Sequence, residues 1–195
     1  MLVGALRSDV MLGLQRFAQD DYSPLNTAVD AYFGHTAELS WMVQNLGPSM
    51  TPEQLSVLAA LPQLALSVRQ PWVYCIFELG KPVENRTWAT KDRGPVCIHA
   101  AKGMTAEEWL DGLLLARAAL PEGHTGPAFP GRKDERRLSR GGIVGTVDIV
   151  DCVTRHESPW FFGPYGFVLT NPKPCKFIPV KGALGFFDWR KNLEA

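Results

Sequence analysis

The stretch Lys81-Pro82-Val83-Glu84-Asn85-Arg86-Thr87-Trp88 brings an amine, a carboxylate, a guanidinium and an indole close together along the chain. Read as a strand, its two-residue repeat puts Glu84, Arg86 and Trp88 on one face and Val83, Asn85 and Thr87 on the other. Neither face is an apolar stripe, so core packing alone does not account for it. The set suits a pocket that hydrogen-bonds a flat polar ring and stacks on it, as readers of unpaired bases do. Lys81, just ahead of the strand, would supply a phosphate contact or a catalytic amine. A structural alternative stays open: an exposed Glu84–Arg86 ion pair of small value, with Trp88 in the core.

A second segment, Ser67-Val68-Arg69-Gln70-Pro71-Trp72, ends a strand in an arginine and an amide just before a proline-initiated helix. Arg69, Gln70 and the free N–H groups of that helix could converge on an anion such as a phosphate. The alternative is that Gln70 caps the helix and Arg69 is solvated. Tyr165, between Gly163 and Gly166, is a cleft candidate because glycines permit close backbone approach. His99, between Ile98 and Ala100, reads more readily as a satisfied core histidine than as a base. Trp160, Phe161 and Phe162 read as packing at one end of the fold. The cysteines Cys75, Cys97, Cys152 and Cys175 form no C-x-x-C pair, no H-E-x-x-H occurs, and each cysteine reads as a small buried hydrophobe. Neither a metal site nor a cofactor is expected.

These residues need elements to position them. Leu64 to Val68, Pro82 to Trp88, Val96 to Ala100, Gly142 to Val153, Tyr165 to Thr170 and Lys176 to Lys181 are rich in β-branched and aromatic residues and read as strands. Two helices interrupt them: Pro71 to about Leu79 with Gly80 as its stop, and Thr105 to Leu120 ahead of Pro121. Gly142 to Val153 is apolar on both parities, as a barrel strand buried on both sides would be. Between Pro121 and Gly142 lies a long loop carrying Arg132, Lys133, Arg136, Arg137 and Arg140. The expected body, residues 63–195, is therefore α+β, a small mixed β-barrel with packed helices. Residues 1–62 read as a helical N-terminal extension, with helix starts at Ser23-Pro24 and at Thr51-Pro52-Glu53-Gln54.

Charge separates the same two parts. Residues 1–62 hold two basic residues against six acidic ones, whereas the remainder holds 18 basic and 14 acidic. The whole chain of 195 residues is neutral, with 20 of each sign, so no overall field draws a polyanion from afar and coating of duplex DNA by charge alone is not expected. The acidic front is suited to a partner protein. No apolar run approaches the roughly 20 residues that cross a bilayer, and a cytoplasmic protein is expected.

Taken in order, Leu66-Ser67-Val68-Arg69-Gln70-Pro71-Trp72, Lys81-x-x-Glu84-Asn85-Arg86-x-Trp88, Arg93-Gly94-Pro95 with Ile98-His99-Ala100, Gly142-Ile143-Val144-Gly145 with Asp151-Cys152, and Gly163-Pro164-Tyr165-Gly166-Phe167 closely resemble the ASCH domain family of the PUA-like superfamily. The likeness runs from about Leu64 to Trp189. It implies a PUA-like β-barrel whose cleft, lined by the K-x-x-E-x-R motif at Lys81, Glu84 and Arg86, binds RNA or a nucleotide. Arg69, Gln70, Trp72, Trp88 and Tyr165 join those three as ligand-binding candidates. Some relatives resemble amidohydrolases that deacylate N4-acylated cytidine with a lysine, a threonine three residues later and a distant glutamate. Here the lysine matches Lys81, but Glu84 stands at the threonine position and Glu157 is the nearest candidate for the glutamate. On that alternative Lys81 and Glu84 would be catalytic. A metal-assisted ribonuclease is a further alternative the resemblance carries.

Overall fold

The structure, a computed structural model, describes residues 57–131 and 138–193. Contacts divide the chain into two units, and the one described below is Pro62–Asn192. The helix starts expected before residue 57, and the basic cluster from Arg132 to Arg137, lie outside the described residues.

Among the described residues of the unit, six strands and two helices follow in the order β1 (Leu64–Val68), α1 (Trp72–Glu78), β2 (Val83–Arg86), β3 (Gly94–Ala100), α2 (Ala106–Ala119), β4 (Gly142–Val153), β5 (Tyr165–Pro179) and β6 (Phe186–Asp188), with a 3-10 turn at Trp189–Asn192 after them. They form one mixed sheet in the order β2-β5-β4-β3-β1-β6. Among the described strands only the β1–β3 pair is parallel, with Leu66 opposite Ile98 and Ser67 opposite His99. The architecture is α+β, as expected, but the sheet curls without closing into a hydrogen-bonded barrel, because β2 and β6 end it on opposite sides.

Side chains span that gap. Ser67 sits where β1 outruns β6: its N–H donates to Gly185 O at 3.2 Å, and its carbonyl accepts from Arg86 NH2 at 2.6 Å. Without the guanidinium that carbonyl would lack a partner, and an unpaired backbone group costs about as much as a lost hydrogen bond. Next to it Trp88 packs edge-on against Phe167 and Phe186, at centroid separations of 5.0 and 5.6 Å. The edge strand β2 is thus tied to the far edge by one ion and one indole.

The main core lies on one face of the sheet, where Leu66, Val68, Val96, Ile98, Val147, Ile149, Phe167 and Leu169 meet Val73 and Ile76 of α1. The other side of α1, Cys75 and Leu79, packs with Val83, Ala116 and Trp160. A seven-residue helix cannot be stable alone, so burial on two sides holds α1 in place. Gly80 takes φ +68°, which reverses the chain and returns the Lys81 N–H to Cys75 O at 2.9 Å. α2 begins with a complete capping box between Thr105 and Glu108.

Three expectations are corrected. β5 is one strand of 15 residues, not two separated at Asn171-Pro172-Lys173-Pro174. β2 covers it only from Tyr165 to Val168, so the prolines fall on an open edge where no N–H is needed, while register shifts against β4 absorb the left-handed Asn171. β4 is buried on one face only: Ile143, Val147 and Ile149 are inside, but Val150 is exposed and Val144 and Cys152 are partly covered. An open sheet leaves its outer face without the second layer that a parity-blind apolar run implies. Of the cysteines, Cys75 and Cys97 are buried but Cys152 and Cys175 are only half so.

Candidate functional site

The turn at Gly80 delivers Lys81 into the protein rather than to its surface. Its side chain is 1% exposed and the Glu84 side chain 8% exposed, and Nζ donates to Glu84 Oε2 at 2.7 Å. Nζ also donates to the Val83 carbonyl. The other carboxylate oxygen, Oε1, lies 3.2 Å from Arg86 NH2. A buried carboxylate between two cations is held in one orientation, since removing either partner would strand a charge away from water.

Arg86 is the half-buried end of this ion-pair chain. NH2 is used by Ser67 O and Glu84, whereas Nε is buried with no partner among the described residues. A buried unsatisfied donor is costly, and this one is enclosed by protein rather than offered to the cleft.

Glu84 and Arg86 form the floor of a cleft of about 250 Å³, whose walls are Arg69 and Trp72 beside α1, Glu108 of α2, and Leu184 with Gly185 ahead of β6. This is below the roughly 300–1,000 Å³ of ordinary small-molecule pockets and suits one ring or nucleotide rather than a large ligand. Arg69 NH1 donates to Glu108 Oε1 at 2.6 Å across the mouth. Burial would raise the Glu108 carboxyl, but the Thr105 N–H, the Arg69 guanidinium and the Thr105 hydroxyl together hold it below its ordinary range.

The other sequence candidates stand as follows. Gln70 is buried and committed to structure: Oε1 accepts from the Tyr74 N–H at 3.1 Å, and Nε2 donates to Ser139 O at 3.0 Å. It lies against a different cavity, between α1 and the loop before β4. Trp72 lines the cleft, and its ring lies 5.9 Å from that of Phe162. Of the aromatic trio, Trp160 is buried and Phe161 packs against the same cluster, as expected at that end, but Phe162 is 60% exposed. Trp88 packs against the core from outside the cleft lining, and Tyr165 is paired with Arg86 across β2 and β5.

His99 is buried behind the site. Its Nε2 lies 3.1 Å from Val180 O, which can only accept, so Nε2 carries the proton and Nδ1 accepts from the Ser67 hydroxyl at 2.9 Å. Burial lowers its pKa, against a smaller opposing effect of the Val180 carbonyl. It is a neutral structural histidine that fixes Ser67. Burial likewise pushes the Cys75 and Cys97 thiols up to about 12, so neither is a ready nucleophile. Among the described residues no group of three or more His, Cys, Asp or Glu could hold a metal ion.

Three contributors escape a reading of local sequence: the Ser67 carbonyl, Glu108 and Asn85. Asn85 Oδ1 accepts from the N–H groups of Phe162 and Gly163, at 3.0 and 3.1 Å, and Nδ2 donates to Trp160 O at 2.9 Å, which moors the loop before β5 to β2. The capping-box spacing Thr105-x-x-Glu108 is visible in sequence, but it does not reveal that the free carboxylate oxygen would face Arg69.

A family model for the ASCH domain matches residues 66–177, which include the end of β1, the Lys81-x-x-Glu84-x-Arg86 motif and most of β5. The chain belongs to the ASCH domain family. ASCH domains are PUA-like modules generally associated with RNA binding. The chain is also similar to activating signal cointegrator 1 of Homo sapiens, with 32% identity over 128 residues, a match covering 60% of this chain and 20% of that protein. The likeness is thus to about a fifth of the relative's length. No helix among the described residues is long and apolar enough to cross a membrane.

Proposed function

We propose that the cleft of this ASCH domain binds an unpaired nucleotide of single-stranded RNA, with Glu84 and Arg86 reading the edge of the base and Trp72 offering a ring face to it. The observation that carries this reading is the Glu84 carboxylate, held between Lys81 and Arg86 in the lining of a cleft sized for one ring. The carboxylate and the Arg86 guanidinium place acceptor and donor groups in fixed positions, as hydrogen-bonding a base edge requires. Arg69 at the mouth is placed to meet a phosphate.

The competing reading, deacylation of N4-acylated cytidine, requires the Lys81 amine to reach a substrate. Enclosure of Nζ by Val83 O and Glu84 favours binding over turnover. In this arrangement Lys81 is a positioning residue for Glu84.

Fluorescence titration of short labelled RNAs tests the proposal. Single strands should bind in preference to duplexes, and Arg86→Lys should weaken binding about tenfold, the scale of one charged hydrogen bond of roughly 1.5–3 kcal/mol, because an amine cannot reproduce the guanidinium fork. Preference for duplex, or equal affinity of a folded Arg86→Lys variant, would refute it.

A further inference from the structure

The Glu108 carboxylate has two tasks, one per oxygen. Oε2 accepts from the Thr105 N–H at 2.8 Å and completes the capping box of α2, while Oε1 accepts from Arg69 NH1 at 2.6 Å. The first serves the helix. The second is not needed for it, because the Thr105 hydroxyl still accepts from the Glu108 N–H at 3.1 Å whatever Oε1 does. Arg69 is 55% exposed on its side chain, so neither burial nor helix capping demands that this guanidinium be neutralised. Both residues nevertheless line the cleft that holds Glu84 and Arg86.

We infer that Glu108 is a resident stand-in for the ligand's phosphate: it occupies Arg69 in the free protein and must yield the guanidinium when a nucleotide enters. This rests on the nucleotide-binding reading and adds to it the group at the mouth and the contact that opposes it. A guanidinium can pair with two oxygens at once, but Glu108 gives Arg69 only Oε1 because Oε2 is held by the Thr105 N–H, whereas a phosphate can offer two oxygens and more charge. An exposed pair of this kind is weak, so a phosphate delivered beside a base already seated on Arg86 displaces it. The exchange lowers affinity for every phosphorylated ligand and leaves a nucleoside without phosphate almost untouched. The site therefore discriminates by phosphate content at its mouth and by base edge at its floor.

Glu108→Gln is the direct test, because glutamine also completes a capping box. Its carbonyl oxygen can keep the Thr105 N–H while its NH₂ faces Arg69 and releases it. Binding of a labelled single-stranded RNA pentamer, and competition against it by cytidine and by cytidine monophosphate, would be measured for the full chain and for Glu108→Gln, Arg69→Ala and the double variant. Glu107→Gln, the same charge change one residue away, is the control. The expected result is three- to fivefold tighter pentamer binding for Glu108→Gln, with the same gain for the monophosphate as competitor and none for cytidine. The gain should vanish in the Arg69→Ala background, as a double-mutant cycle requires of a coupled pair.

A gain that persists without Arg69, or that Glu107→Gln reproduces, would show general charge removal and overturn the inference. So would equal affinities of Glu108→Gln and wild type. If those equal affinities still depend on Arg86, the binding reading survives alone. If no protein binds the pentamer, both fall together.

Discussion

Lys81 is the residue whose sequence and structure carry the most different meanings. In the sequence it is an amine at the head of a polar strand, free to touch a phosphate or a carbonyl. In the fold it is enclosed, and its value lies in neutralising Glu84. Removing one member of a buried ion pair costs roughly 3–5 kcal/mol. Lys81→Met should therefore lower the melting temperature by about 10 °C, given the few degrees per kcal/mol typical of a domain of this size. Glu84→Gln added to it should restore part of the loss. A melt unchanged by Lys81→Met would mean the pair carries no structural role, and Lys81-dependent release of cytidine from N4-acetylcytidine, followed by chromatography, would overturn the binding reading. Arg69, Trp72, Glu84 and Arg86 were legible as a group because a two-residue repeat and a helix start lie close together in sequence. The enclosure of Lys81 was not legible, nor was the pairing of Arg69 with Glu108 across 39 positions, because both depend on which elements pack together rather than on local pattern.

Elements position these residues through close approach as much as through hydrogen bonds. α2 crosses near the start of α1 at Gly112, where a Cβ would collide with Pro71 Cγ and press on the Phe129 ring. Alanine is a better helix former than glycine by about 1 kcal/mol, so on propensity alone Gly112→Ala should stabilise. Overpacking of a tight contact costs typically 1–3 kcal/mol, and the clash here is with a rigid proline ring. Steric cost should win: chemical denaturation should show net destabilisation of about 1–2 kcal/mol, whereas a rise in stability would mean that α2 is free to shift. The apolar runs read well as elements where they were bounded by turns, as at β1 and α2. They misled at β5 and β4, whose prolines and mixed parity mean one thing in a closed barrel and another in an open sheet. Closure is a property of strand pairing across the whole sheet, and no local window contains it.

On the scale of the whole molecule, neutrality limits what the cleft can do. The 20 basic and 20 acidic residues leave no net field, and the site itself is nearly balanced. Lys81 and Arg86 against Glu84 leave one positive charge, and Arg69 cancels Glu108. A ligand displacing Glu108 would then set one phosphate against Arg69, because Arg86 is engaged by Glu84 and the base edge. Counterion release gives a salt slope of roughly −0.7 for each phosphate neutralised on a single strand. Binding of a single-stranded RNA should therefore weaken with a log–log slope of about −0.7, and Arg69→Ala should bring it close to zero. A protein that coats nucleic acid by charge would give a far steeper slope and would gain affinity steadily with strand length. A slope of −4 or beyond, measured by titration at several salt concentrations, would place the main contact elsewhere on the chain, with the basic residues between Arg132 and Arg137 the first to examine. A shallow slope that Arg69→Ala reduces would locate the charged contact at the cleft mouth and leave the remaining affinity to hydrogen bonding and stacking at Arg86, Glu84 and Trp72.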